Sequence, residues 1–316
     1  MSSHTGHAHG PAADRRRLRI ALAISLATGA LELAGGLITG SLALLADAGH
    51  VLVDSGALLM ALGAVWVAQR PHSLRWTYGF HRVEVFVATI NGLTLLALAG
   101  VIAWHAARRL GTEPTVEGGG LLLVATLGFG ANLVALYVLR NPHDSVNVRA
   151  ARLHVLSDLG GSVAAVAAGL VVTLTGWTRI DPLLSLAIVA LVSFGALRLL
   201  RETFEILLER VPRSVDLGAI EAALREDPAI LSIHDVHCWT VTSGFIAFTA
   251  HVELTNTDDV IATTRRASDL LRDRFGIGHV TLQAEAARTV TLADAAPKGG
   301  ATGAADAAPE RWTPVP

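Results

Sequence analysis

Charge is scarce in this chain. Of its 316 residues only 16% are Asp, Glu, Lys or Arg, against 52% hydrophobic. Ordinary soluble domains carry about 25% charged residues. The mean hydropathy of +0.49 therefore excludes a simple soluble fold, and membrane segments must be located first. Cysteine is scarcer still. Cys238 stands alone, so no intrachain disulfide can form and no oxidising compartment is implied. There is no strong net charge either; a formal −2 argues against a nucleic-acid partner. No small-residue cleavage site closely follows Arg15-Arg16-Arg17 and its apolar run, which argues against a cleaved signal peptide. What the chain does have is thirteen histidines, and neutral imidazole is the commonest side-chain metal ligand.

Hydropathy predicts six spans: about Leu18–Ile38, Ser41–Ala68, Val83–Trp104, Gly118–Leu139, Val148–Thr175 and Ile180–Leu200. Six crossings put both termini on one side. That side collects Arg15, Arg16, Arg17, Arg19, Arg70, Arg75, Arg82, Arg140, Arg149 and Arg152, whereas the other holds Arg108, Arg109 and Arg179. The positive-inside rule makes both termini cytoplasmic, in a multi-pass protein of the cell membrane. The expected organisation is a His-containing disordered tail over 1–14, a six-helix transmembrane domain over 15–210, a small α/β cytoplasmic domain over 211–288, and a disordered tail over 289–316.

Ionisable groups are costly inside a bilayer and usually functional there. The second span holds Asp47, His50 and Asp54; the fifth holds His154 and Asp158. His50 and Asp54 are four apart, as are His154 and Asp158, so each pair shares one helix face. The two spans run in opposite directions, which sets His50 level with Asp158 and Asp54 level with His154. Two imidazoles and two carboxylates suit a four-coordinate Zn²⁺. Asp47 lies on the same face as His50 and Asp54 and takes a secondary part: relaying protons, guiding ions, or bonding a neighbouring helix. Glu32, Asn91 and Asn132 read as interhelical hydrogen-bonding groups, and His105 as a solvated interface residue.

Beyond Glu209 the pattern changes. Asp216–Arg225 reads as a helix, Ile230–Val241 as a strand, Ser243-Gly244 as a turn and Phe245–Leu254 as a second strand. Asp258–Phe275 reads as a helix stopped by Gly276, and His279–Ala286 as a third strand. The α-β-β-α-β order predicts a small sheet with helices on one face. Period-two alternation puts Ile246, Phe248, Ala250, Val252 and Leu254 toward the core, with Val280, Leu282 and Ala284. Leu231 and Ile233 are expected on the same side. His234, His251 and Glu285 can then meet on the uncovered face as a second metal site, while a regular strand sends His237 to the opposite face.

Several stretches resemble the cation diffusion facilitator family of divalent-metal transporters. They are Gly40-Ser41-Leu42-Ala43-Leu44-Leu45-Ala46-Asp47-Ala48-Gly49-His50, Tyr78-Gly79-Phe80-His81-Arg82-Val83-Glu84 and Leu153-His154-Val155-Leu156-Ser157-Asp158. In the tail domain they are His234-Asp235-Val236-His237-Cys238-Trp239 and Val280-Thr281-Leu282-Gln283. The resemblance implies a homodimer, six membrane helices, a metallochaperone-like cytoplasmic domain, and metal export coupled to inward proton flow. It maps the transport site onto His50, Asp54, His154 and Asp158. It maps a cytoplasmic site onto His234, His251 and Glu285, which His4, His7 or His9 of the partner could complete. His81 and His279 match an interface metal site of some relatives. A His-rich loop that some relatives carry is reduced here to Asn141–Asn147, with only His143; His72 is another loop ligand candidate.

Imidazole and carboxylate ligands favour Zn²⁺, with Co²⁺ or Cd²⁺ as further substrates, over ions that prefer all-oxygen shells. Two rivals share the ligands. A membrane-embedded metalloenzyme needs an open coordination position and a general base, for which Asp47 is the only candidate, and the chain lacks H-E-x-x-H. A non-transporting metal sensor would signal through the cytoplasmic domain.

Overall fold

The computed structural model describes residues 11–68, 73–112, 115–140, 146–256 and 258–287. The chain divides into two units, Met1–Thr203 and Phe204–Pro316.

The first unit is built on six long helices: α1 (Pro11–Thr39), α2 (Leu42–Ala68), α3 (Val83–Leu110), α4 (Gly118–Val138), α5 (Val146–Thr175) and α6 (Ile180–Leu207), the last running on past the boundary. Each contains a segment long and apolar enough to cross a membrane. Several helices outlast the hydropathy reading. α1 begins at Pro11, α3 continues to Leu110 and α6 to Leu207. Hydropathy senses the bilayer, whereas backbone hydrogen bonding carries a helix on into the aqueous zone. In α3 the extension ends on Arg108 and Arg109, whose charges suit the negative end of the helix dipole.

Small side chains fill the interior of this unit. Ala43, Ala46 and Ala99 pack in one cluster, and Ala125, Ala165 and Ala168 with Leu44 and Leu121 in another. Small residues let helices approach closely where no hydrophobic force drives them together. Large apolar side chains such as Leu37, Leu123, Leu174 and Phe194 point outward instead, as a lipid solvent demands.

α1 and α2 are joined by a turn so tight that Gly40 takes φ +71°, a conformation that penalises any side chain. The start of α2 is held from α6. Asp181, fully buried, accepts hydrogen bonds from Ser41 Oγ at 2.5 Å, Leu42 N at 2.8 Å and Ala43 N at 3.2 Å. The two backbone N–H groups are among the donors that a helix start leaves unsatisfied. Arg109 donates to Gly40 O, and Glu117 N to Thr39 O, so α3 and α4 also fasten this turn.

The second unit has α7 (Leu217–Leu224), β1 (Ile230–Thr242), β2 (Phe245–Leu254), α8 (Val260–Phe275) and β3 (His279–Ala286). Asp216 caps α7 by accepting from Gly218 N and Ala219 N. The sheet order is β1-β2-β3. β1 pairs antiparallel with β2 across the Ser243-Gly244 turn, and β3 pairs parallel with β2, which requires the intervening α8 as a crossover. Phe248, Ala250, Val252 and Leu254 of β2 meet Ile220, Leu224, Ala267 and Leu271 of the helices in one core.

β1 departs from the expected alternation. Its register shifts between Ile230 and Ser232, so Ile230 and Ile233 are buried and Leu231 is exposed. It shifts again between His234 and His237, around Asp235 at φ +49°. His234 pairs with His251 and His237 with Thr249, two positions on the same face of β2. The expectation that His237 lies on the opposite face is therefore corrected: one bulged residue reverses the parity of the residues after it, as far as the next shift between Thr240 and Thr242.

Candidate metal centre

α2 and α5 bring His50, Asp54, His154 and Asp158 together. His50 Nδ1 lies 3.7 Å from Asp54 Oδ2, and its Nε2 3.7 Å from Asp158 Oδ1. His154 Nδ1 lies 3.8 Å from Asp54 Oδ2, and its Nε2 3.7 Å from Asp158 Oδ2. Each imidazole thus stands between the two carboxylates, with ring centroids 6.2 Å apart. Tetrahedral bonds of about 2.0–2.1 Å need neighbouring ligand atoms about 3.3–3.4 Å apart. The ring is a few tenths of an ångström wider than that. Ligation would also commit each imidazole to one nitrogen, by a rotation within the ring.

The donor set fits a cation in another respect. Both carboxylate oxygens of Asp158 and Nδ1 of His50 are buried with no hydrogen-bond partner. Such atoms are rare in folded proteins, and each calls for a ligand or a charge to satisfy it. The ring is unevenly covered: Asp158 is 1% exposed and His154 41%.

In the second unit His234, His251 and Glu285 converge more tightly. His251 Nδ1 is 2.9 Å from Glu285 Oε1, and His234 Nε2 is 3.3 Å from Glu285 Oε2. Among the described residues this is the one group whose ligand atoms, one from each of three side chains, all lie within 4.8 Å of one another. The antiparallel pairing of His234 with His251 and the parallel run of β3 set the three on one face. Asp235 bridges outward from it. Its Oδ2 is 3.5 Å from His251 Nε2, and its Oδ1 is 3.0 Å from His237 Nε2. Cys238 takes no part: it sits in the core, where burial pushes its thiol up to about 11 and keeps it neutral.

Comparison with known proteins accords with this pairing of a helical unit and an α/β unit. Residues 18–208 match the family described as cation efflux transmembrane domain, and 212–287 the family described as cation efflux protein, cytoplasmic domain. The chain belongs to the cation efflux family. It is 38% identical over 286 residues to the zinc transporter ZitB of Escherichia coli, covering 90% of this chain and 91% of that one. To the metal cation efflux system protein CzcD of Cupriavidus metallidurans it is 37% identical over 285 residues, covering 89% and 90%. To the cadmium, cobalt and zinc/H(+)-K(+) antiporter of Bacillus subtilis it is 34% identical over 289 residues, covering 89% and 92%. As a cation efflux protein with six span-capable helices, it is an integral, multi-pass membrane protein of a transporter family rather than an enzyme.

The remaining candidates of this efflux protein are placed as follows. Asp47 is buried on α2, its carboxyl packed against Gly161 of α5 and its Oδ2 without a hydrogen-bond partner. Asn132 Nδ2 donates to Ser162 Oγ at 3.0 Å, as expected of an interhelical group, whereas Glu32 and the Asn91 carbonyl oxygen have no hydrogen-bond partner. His81 lies in the turn before α3, in the first unit; His279 opens β3 in the second, its ring 5.7 Å from that of Phe245. His4, His7, His9, His72 and His143 lie outside the described residues. Sequence reasoning missed Ser162, Asp181 and Asp235. Asp181 carried a signal, as an acidic residue at the start of a span, but its partner lies 140 positions away.

Proposed function

We propose that this chain exports divalent metal, chiefly Zn²⁺, from the cytoplasm in exchange for protons, by alternating access around His50, Asp54, His154 and Asp158. The observation that carries the proposal is the ring of two imidazoles and two carboxylates between α2 and α5, with Asp158 buried and its oxygens lacking any hydrogen-bond donor. Zn²⁺ binds neutral imidazole and ionised carboxylate, so loading the ring expels protons and protonating it expels the ion. Exposing the ring to one side and then the other turns this competition into antiport. The similarity to transporters named for zinc, and for cadmium, cobalt and zinc with H(+), supports the ion class and proton coupling, with Co²⁺ and Cd²⁺ as further substrates. Arginine asymmetry supports cytoplasmic termini. The match to the family's cytoplasmic domain supports a homodimer, and the convergence of His234, His251 and Glu285 supports a regulatory Zn²⁺ held there.

The test is Zn²⁺ flux in proteoliposomes. Asp54→Ala and Asp158→Ala each remove one of four ligands, and each should lower flux about a hundredfold while the purified protein keeps its fold. Near-normal flux in either folded variant would refute the assignment.

A further inference from the structure

Glu32 is a buried carboxyl in the middle of α1 that the four-ligand ring does not use. It is 1% exposed, and neither of its oxygens has a hydrogen-bond partner. Its place is made by glycine: a Cβ at Gly128 of α4 would collide with Glu32 Oε1. Every helix around it can be named. From α2 the carboxyl of Asp47 acts on it, and from α5 that of Asp158. α4 presents Gly128 and, one turn on, Asn132, which is uncharged and bonded to Ser162. Among the described residues, Glu32 thus lies within electrostatic reach of two carboxyls and forms no ion pair with a cation.

A carboxylate with no hydrogen bond and no counter-charge is very costly in an apolar interior, whereas a carboxylic acid there is tolerable. The cost depends on the metal ring, because Asp158 is both a ring member and one of the two charges acting on Glu32. With Asp158 ionised and no cation bound, negative charge nearby favours a proton on Glu32. With a divalent cation on Asp158 the local charge reverses, and the ionised form of Glu32 becomes affordable. Cation and proton then exclude each other through space, without sharing a ligand atom.

We propose that Glu32 is a proton-binding site of the transport cycle, separate from the metal ligands. It takes up one proton as metal leaves the ring and releases it as metal binds. This deepens the exchange mechanism proposed above and rests on it. In the step Glu32–COO⁻ and H⁺ become Glu32–COOH, with no other bond made or broken. One proton beyond those displaced from the ring itself is therefore exchanged for each ion.

The decisive variant is Glu32→Gln, which has the shape of the protonated acid and cannot release a proton. Calorimetry of Zn²⁺ binding to the purified full chain, in buffers of different ionisation heat, counts protons released per ion. Glu32→Gln should release about one proton fewer than the wild type, and stimulation of Zn²⁺ flux by a pH gradient should fall about tenfold. An unchanged proton count together with unchanged gradient stimulation overturns the inference while leaving the exchange mechanism standing. Absence of any Zn²⁺ flux in the wild type overturns both. Should Glu32→Gln fail to fold, Gly128→Ala keeps the carboxyl and crowds it. A shifted pH midpoint of flux supports the proton site, and an unshifted one counts against it.

Discussion

Asp158 and His154 sit one helical turn apart and differ most in cover, the first sealed inside and the second open at the edge of the ring. In the proposed cycle the carboxylate supplies the charge that attracts an ion and the imidazoles decide which ion stays, because ligand softness and geometry decide selectivity among divalent metals. His50→Asp should therefore reduce the preference for Zn²⁺ over Cd²⁺ or Mn²⁺ about tenfold in competition flux assays. An unchanged ranking would mean that selectivity lies outside the ring. The ring residues were legible in the sequence because two H-x-x-x-D pairs in apolar runs leave little freedom: the helical period fixes their face. Glu32 was not. A lone acid in a span looks the same whether it bonds a neighbour or stays unpartnered, and only the close approach of Gly128 and the missing hydrogen bonds separate the two.

Elements obeyed local rules wherever those rules were strong. β2 and β3 have the predicted limits because turn residues bound them and alternation is clean within them. β1 broke its pattern at Asp235, and nothing in Ile233-His234-Asp235-Val236-His237 announces a bulge, since Asp merely tolerates φ > 0 better than most residues. The cap on α2 was equally hidden, being supplied by α6. An electrostatic tie between elements can be tested by pH. Asp227, after α7, accepts from Arg266 Nε of α8 at 2.8 Å and from Ala229 N at 3.0 Å. The guanidinium first, and the backbone donor after it, hold the carboxyl below its usual range. A depressed folded value means that the stabilisation is complete above the unfolded pKa of about 3.9 and is lost as pH falls through the folded value. Asp227→Asn should lower the melting temperature of the second unit at pH 7, and the gap to wild type should begin to narrow only below about pH 4 and close as pH falls through the lower folded value. A gap that stays constant with pH would mean that the loss is not electrostatic.

At the scale of the whole chain, the division into two units falls at Thr203, inside α6 and short of the fall in hydropathy after Glu209, and each unit has its own core. Their tasks divide likewise in the proposed cycle. The first unit carries the ion, and the second, with His234, His251 and Glu285 on an accessible sheet face, tunes the rate. Zn²⁺ should raise the melting temperature of a fragment spanning the second unit, because binding to the folded state stabilises it, and His251→Ala should abolish the rise. In the full chain His251→Ala should slow flux by a few-fold without stopping it. Complete loss of flux would make the site essential rather than regulatory. The central claim, exchange of metal for protons at one membrane ring, is tested most directly by recording Zn²⁺ entry and lumenal pH together in the same proteoliposomes. With an acidic lumen, the wild type should accumulate Zn²⁺ against its gradient while the lumen alkalinises in step, and Asp158→Ala should do neither. Zn²⁺ entry with no matching proton movement, or equal accumulation by Asp158→Ala, would contradict it.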